Sequence, residues 1–166
     1  MKPIDNRQNK LIQTKAGAKH LPPKDSLRGD TAHEAGGQEP LGTGLHGGAV
    51  FGLVSNLLFA SKIAQSAKHH HLGAHNFDKA DPLLEHAKAR PPMLVILDWD
   101  GCEREAFKVL KAFREDKALQ AIPVVGYLSH TKIELKKEAE TAGCLRVYTK
   151  SEFTRVLDDL VIRYGQ

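Results

Sequence analysis

The stretch Leu94-Val95-Ile96-Leu97-Asp98-Trp99-Asp100 decides how this chain is read. Four apolar residues in a row, with no polar alternation, mark a strand buried on both faces, as in a parallel sheet covered by helices. The run ends in Asp98, so the carboxylate falls at the C-terminal edge of the strand, where open α/β sheets build their sites. Two later stretches have the same form. Pro123–Ser129 is strand-like and ends in a hydroxyl, and Leu145–Lys150 is strand-like and ends in an amine. A carboxylate, a hydroxyl and an ammonium at three successive strand ends suit the handling of a phosphoryl group. The first would carry it, and the other two would bind its oxygens.

Working outward, strands and helices alternate. Ala49–Val54 is a short apolar run and reads as a buried strand. Leu57–Leu72 carries apolar residues at 57, 60, 63, 64 and 67, one face of a helix, with Gly73 expected as its C-cap. Ala74–Phe77 reads as a short strand, and Asp81-Pro82 as the capped start of a helix reaching about Ala89. Met93–Leu97 is the central strand, followed by an amphipathic helix over Glu103–Glu115 that turns Ala106, Phe107, Val109, Leu110 and Phe113 inward. Pro123–Leu128 is a strand, Thr131–Ala142 a charged helix ended by Gly143, and Leu145–Tyr148 the last strand. Ser151 is expected to cap a final helix burying Phe153, Val156, Leu157, Leu160, Val161 and Tyr164. Five such units predict a parallel sheet with helices on both faces and right-handed crossovers.

The totals exclude several classes. The chain has 166 residues, 24 Lys and Arg against 20 Asp and Glu, and a formal net charge of +4. Residues 1–48 hold 7 basic and 5 acidic side chains and the remainder 17 and 15, so neither part is a polybasic arm and nucleic acid is not an expected partner. Two cysteines, Cys102 and Cys144, are too few for a disulfide scaffold and read as reduced thiols of a cytoplasmic protein. No apolar run approaches the roughly 20 residues of a membrane span. Residues 1–48, rich in Lys, Gly, Asp, Pro and Gln, are expected to be a disordered extension, with one domain over 49–166.

Residues 50–163 resemble a response-regulator receiver domain. The resemblance is carried by Val95-Ile96-Leu97-Asp98-Trp99, Leu110–Asp116, Ala121-Ile122-Pro123-Val124-Val125, Ala142-Gly143 and Lys150. It implies a flavodoxin-like, five-stranded, doubly wound parallel sheet of order 2-1-3-4-5. By the same resemblance Asp98 takes the phosphoacceptor position, and Lys150 that of the lysine that ion-pairs with the phosphoryl group. Asp100 takes the position whose backbone carbonyl binds the metal. A weak magnesium site would then comprise Asp98, Asp100 and Asn56.

Several positions depart from the family pattern. Family members carry two acidic residues after the first strand, and this chain has Ser55-Asn56. Magnesium is held mainly by carboxylate oxygens, so this change lowers the expected affinity. The switch hydroxyl aligns with Leu128, with Ser129 one residue later as its candidate replacement. The switch aromatic aligns with Val147, beside Tyr148, and Ser151 replaces the proline after the lysine.

Other motifs are weaker. Asp98-Trp99-Asp100-Gly101 also resembles the signature of haloacid-dehalogenase-type phosphatases, with Asp98 as nucleophile and Asp100 as acid/base. That motif normally follows the first strand, and here two strands precede it. His69-His70-His71 point about 100° apart on a helix and cannot converge on one metal, so they read as a helix end. Gly42–Gly47 matches a dinucleotide-binding glycine pattern but precedes a strand instead of following one.

The resulting expectation is a non-enzymatic, stand-alone, atypical receiver of two-component signalling that accepts a phosphoryl group on Asp98. The alternative is a pseudo-receiver that binds partners without phosphorylation. Expected partners are a histidine kinase or another signalling protein, with no membrane. The resemblance implies docking or homodimer formation through the face of helix four, strand five and helix five, with Lys132, Lys136, Arg146 and Tyr148 as candidates.

Overall fold

The computed structural model of the protein describes residues 48–166. The expected disorder of residues 1–47 and the glycine pattern at 42–47 lie outside the described residues. The elements are β1 (Ala49–Leu53), α1 (Leu57–His69), β2 (Gly73–Phe77), α2 (Ala80–Ala89) and β3 (Leu94–Asp98), then α3 (Glu103–Glu115), β4 (Val124–Leu128), α4 (Ile133–Thr141), β5 (Arg146–Thr149) and α5 (Lys150–Tyr164). The five strands form one sheet in the order β2-β1-β3-β4-β5, and every pairing is parallel. The fold expected from the central strand is the fold observed.

The two-residue period of the strands sorts the core into two layers. Val95, Leu97 and Leu128 face one way and pack against Leu83 of α2, Val109 and Phe113 of α3 and Ala139 of α4. Leu94, Ile96, Val125 and Tyr127 face the other way, against Phe59 and Ile63 of α1 and Phe153, Leu157 and Val161 of α5. Trp99, fully buried, belongs to the first layer and meets Phe107 edge to face at 4.8 Å. A methyl group at Gly126 would fall 2.4 Å from the Trp99 Nε1, so glycine is what admits the indole there.

Four element ends differ from expectation, each for a local reason. Helix α1 stops at His69, and the left-handed residue that closes it is His71 (φ 59°), not Gly73. Gly73 instead pairs with Ala49 as the first residue of β2. The face α1 buries is Phe59, Ile63, Ser66 and Ala67, which leaves Leu57 82% exposed where it was expected inward. Helix α2 begins at Ala80, two residues before the expected start at Pro82, because Glu105 of α3 accepts the Ala80 N–H at 2.7 Å and caps it from outside. Helix α5 is capped by Thr149, not Ser151. Thr149 and Glu152 form a reciprocal capping box, the spacing that satisfies two orphan helix donors at once. Lys150 thereby becomes the first residue of α5.

Candidate functional site

The site is built where β1, β3, β4 and β5 end together. Asp98 closes β3, is only 2% exposed, and has every acceptor position taken. Its Oδ1 accepts from the backbone N–H of Asp100 (3.1 Å) and Gly101 (3.0 Å). Its Oδ2 accepts from the Ser55 N–H (3.3 Å) and the Ser55 hydroxyl (3.1 Å). A carboxylate has about four lone-pair positions, and four donors converge here. Gly101 makes this possible, since a methyl group there would fall 1.9 Å from Ser55 Oγ and 3.1 Å from Asp98 Oδ2.

Asp100, two residues on, lives in a different environment. Its Oδ1 meets the Lys132 ammonium at 3.3 Å and accepts the Ser129 N–H at 3.2 Å. Its Oδ2 pairs with Lys150 at 2.9 Å. Burial pushes its carboxyl up, but hydrogen bonds from Lys150, the Ser129 N–H and Lys132 outweigh it and hold the group below its ordinary value. Asp100 therefore ties the β3–α3 loop to the residue preceding α4 and to the first residue of α5.

Beneath Asp98 lies an aromatic stack. Tyr127, its register partner across β3 and β4, stacks on Phe59 (4.6 Å) and packs tilted against Phe153 (4.8 Å). The Tyr127 hydroxyl is buried beside Asp98, and burial first, then the adjacent Asp98 charge, push its ionisation well up. Cys102 also sits beside the site. Its thiol is raised by burial first and then by Asp98, so it stays protonated at neutral pH.

The candidate residues divide accordingly. Asp98, Asp100, Ser129 and Lys150 are brought to one corner, but the ion pair of Lys150 is with Asp100, and Ser129 contributes its backbone N–H. Asn56 turns its side-chain oxygen to its own helix, accepting from Leu58 N–H (2.9 Å) and Phe59 N–H (3.2 Å) as the N-cap of α1. The magnesium set read from the sequence is thus not assembled. Asn56 is used as a cap and Asp98 is saturated by donors. Among the described residues no three His, Cys, Asp or Glu side chains are grouped to hold a metal. The donor set in this arrangement does not fit that ion.

Of the candidate partner residues, Lys132 is drawn into the site. Lys136 and Lys137 line a cleft of about 320 Å³ with Leu128, His130, Ile133 and Thr149. Arg146 lies over the Tyr148 ring at 5.4 Å. Ile133, at the start of α4, and Leu145, just before β5, are 59% and 57% exposed. The sequence reading did not place Tyr127 beside Asp98, and it gave Asp100 a metal-binding role where its carboxylate meets two lysines. The Asp-x-Asp spacing was the one available signal. His69, His70 and His71 end α1 as expected, while β2 and α2 bring His75 and His86, which nothing in the sequence fixed together, to 6.3 Å between ring centroids.

No family model matches the chain, and no curated protein matches it in sequence. Solved structures do match. Response regulator NtrX from Brucella abortus is 19% identical over 72% of this chain and 27% of its own length, with a TM-score of 0.60. A response regulator from Hahella chejuensis is 20% identical over 70% of this chain and 94% of its own, at 0.62. The chemotaxis response regulator CheY4 of Vibrio cholerae is 15% identical over 70% and 98%, at 0.61. The chain spans about a quarter of the length of NtrX. At these identities the likeness is one of fold, and among the described residues no helix is long and apolar enough to cross a membrane. The fold of residues 49–166 is the receiver fold of the response regulators.

Proposed function

We propose that this chain is a receiver-type signalling module that acts by protein contact and without phosphorylation of Asp98. The observation that carries this reading is the saturation of Asp98. Both oxygens accept two hydrogen bonds each, and the residue is buried. In-line attack on a phosphodonor needs a free carboxylate oxygen and a charge clamp on the transferred group. Here the lysine suited to that clamp is engaged by Asp100. The same argument weighs against a phosphatase that uses Asp98 as nucleophile. The output surface would be the face of α4, β5 and α5, which carries Lys136 beside exposed Ile133, and Arg146 over Tyr148. A signalling protein, a histidine kinase included, or a second copy of the chain is the class of partner for it.

A second reading keeps Asp98 as phosphoacceptor within two-component signalling. Its support is that Asp98 ends the central strand with Lys150 and Ser129 at the adjacent strand ends. It requires Ser55 to swing away and Asp100 to release Lys150. Intact mass after incubation with a small phosphodonor and magnesium, beside Asp98→Asn, separates the two. No gain in mass is the expected result. A phosphate-sized gain that Asp98→Asn loses would replace the first reading with the second.

A further inference from the structure

We propose that Lys132, Lys150 and the Ser129 N–H form an anion-binding cage whose resident anion is the chain's own Asp100 carboxylate. The inference deepens the phosphorylation-independent reading, because a site already filled from within needs no transferred group to set the position of α4. Three donors from two strand-end segments, the β4–α4 loop and the end of β5, converge on one carboxylate. The Lys132 ammonium is at 3.3 Å, the Ser129 N–H at 3.2 Å and the Lys150 ammonium at 2.9 Å.

Their placement in the fold gives the convergence its direction. Lys132 is the N-cap residue of α4, and Lys150 is the first residue of α5. Both helices thus present N-terminal ends on this side of the sheet, and helix N-termini favour negative charge. No acidic side chain stands in the first-strand loop to compete, since that loop reads Ser55-Asn56 and spends both side chains elsewhere. The lysines are 41% and 42% exposed against 19% for Asp100, so the cage opens to solvent on its cationic side. The anion is held from within, and the donors are reachable from without.

This arrangement makes a specific demand. If Asp100 is an internal ligand, removing its charge must leave both ammonium groups without an anion, so that a small oxyanion binds them from their solvent side. If the carboxylate is merely one half of surface ion pairs, removing it must leave two solvated lysines with no particular affinity. Inorganic phosphate is the probe, and Asp100→Asn the variant, because the amide keeps the shape and loses the charge. Phosphate titration followed by backbone amide shifts should show saturable binding to Asp100→Asn at least about tenfold tighter than to the unaltered chain. Hydrogen exchange at the Ser129 amide should rise in the variant and fall again when phosphate is added. Adding Lys132→Met to Asp100→Asn should abolish both the binding and the protection.

An exposed acid elsewhere serves as the charge control. Asp159→Asn changes net charge equally and should leave phosphate affinity as it is in the unaltered chain. If Asp100→Asn binds phosphate no better than Asp159→Asn, or if Lys132→Met makes no difference, the cage is overturned. Should Asp100→Asn unfold, Lys132→Met in the otherwise unaltered chain decides. The cage predicts faster exchange at Ser129 that phosphate does not reverse, and unchanged exchange sinks it. No phosphodonor enters these experiments. Labelling of Asp98 would therefore overturn the phosphorylation-independent reading while leaving the cage standing, and absence of phosphate binding would do the reverse.

Discussion

Two carboxylates two residues apart, Asp98 and Asp100, are held in opposite ways. Asp98 is buried and satisfied by neutral donors, three backbone N–H groups and one hydroxyl. Asp100 is half-buried and satisfied mainly by ammonium groups. Neutral, short-range donors fix an acid in place and hold its loop with it. Mobile cations on long stems join segments that are otherwise independent, and they do so in a salt-dependent way. The first arrangement builds the loop, and the second couples the loop to α4 and α5.

The most direct way to break this contrast is to remove Asp98. Asp98→Ala leaves four donors facing each other across a buried gap. Each buried donor without a partner costs about 1–3 kcal/mol before relaxation. We expect a net loss of about 3 kcal/mol in denaturant unfolding, with little dependence on salt. A loss below about 1 kcal/mol would mean that water reaches the pocket and that Asp98 is not the fixing point.

Gly101→Ala tests the same corner from above. The added methyl would lie 1.9 Å from Ser55 Oγ, and rotating that hydroxyl away gives up its bond to Asp98. Overpacking of this kind costs about 1–3 kcal/mol, and we expect the lower half of that range. The double variant with Ser55→Ala should be less than additive, because the second change removes the atom that the first one strikes. Additive losses in a double-mutant cycle would show that the clash is not with Ser55.

How much of this was legible beforehand differs along the chain. The continuous apolar run at Leu94–Leu97 and the helical stripe of Glu103–Glu115 identified a covered parallel sheet, because burial on two faces leaves no other pattern. Strand order followed from the resemblance, and the sheet agrees with it. Element ends were less legible where a distant residue supplies the cap. Glu105 starts α2 from across the fold, and nothing near Ala80 announces it. The start of α5 was legible and was misread, since Thr149-Lys150-Ser151-Glu152 is the capping-box spacing itself. At the site, Asp98, Asp100 and Lys150 stood out by type and spacing. Which acid the lysine would choose did not, because pairing depends on how the β3–α3 loop turns, and Gly101 and Ser55 set that turn jointly.

Asn56 offers a sharper, smaller test of the same loop. Its side chain caps α1, and replacing a capping Asn by Ala costs about 1 kcal/mol, whereas Asp caps about as well. Asn56→Ala should lower stability by that amount and Asn56→Asp by no more than a few tenths. An equal loss in both would mean that the position contributes through packing, not through the cap.

The smallest expected effect is the most informative about Asp100. Partly exposed ion pairs are worth about 0.2–1 kcal/mol each, so Asp100→Asn should cost at most about 1 kcal/mol near neutral pH, and less in high salt. The acid limb of the stability curve carries the distinguishing signature. The folded carboxyl is held below its ordinary value of 3.8, so as acid is added the unfolded chain binds the proton first. The stabilisation from Asp100 is therefore complete above that value and is lost as pH falls through the lower, folded one. Asp100→Asn should converge with the unaltered chain across that window and stay apart from it above. Two curves that run parallel down to the acid limit would mean that the Lys132 and Lys150 contacts do not hold this carboxylate in its charged form.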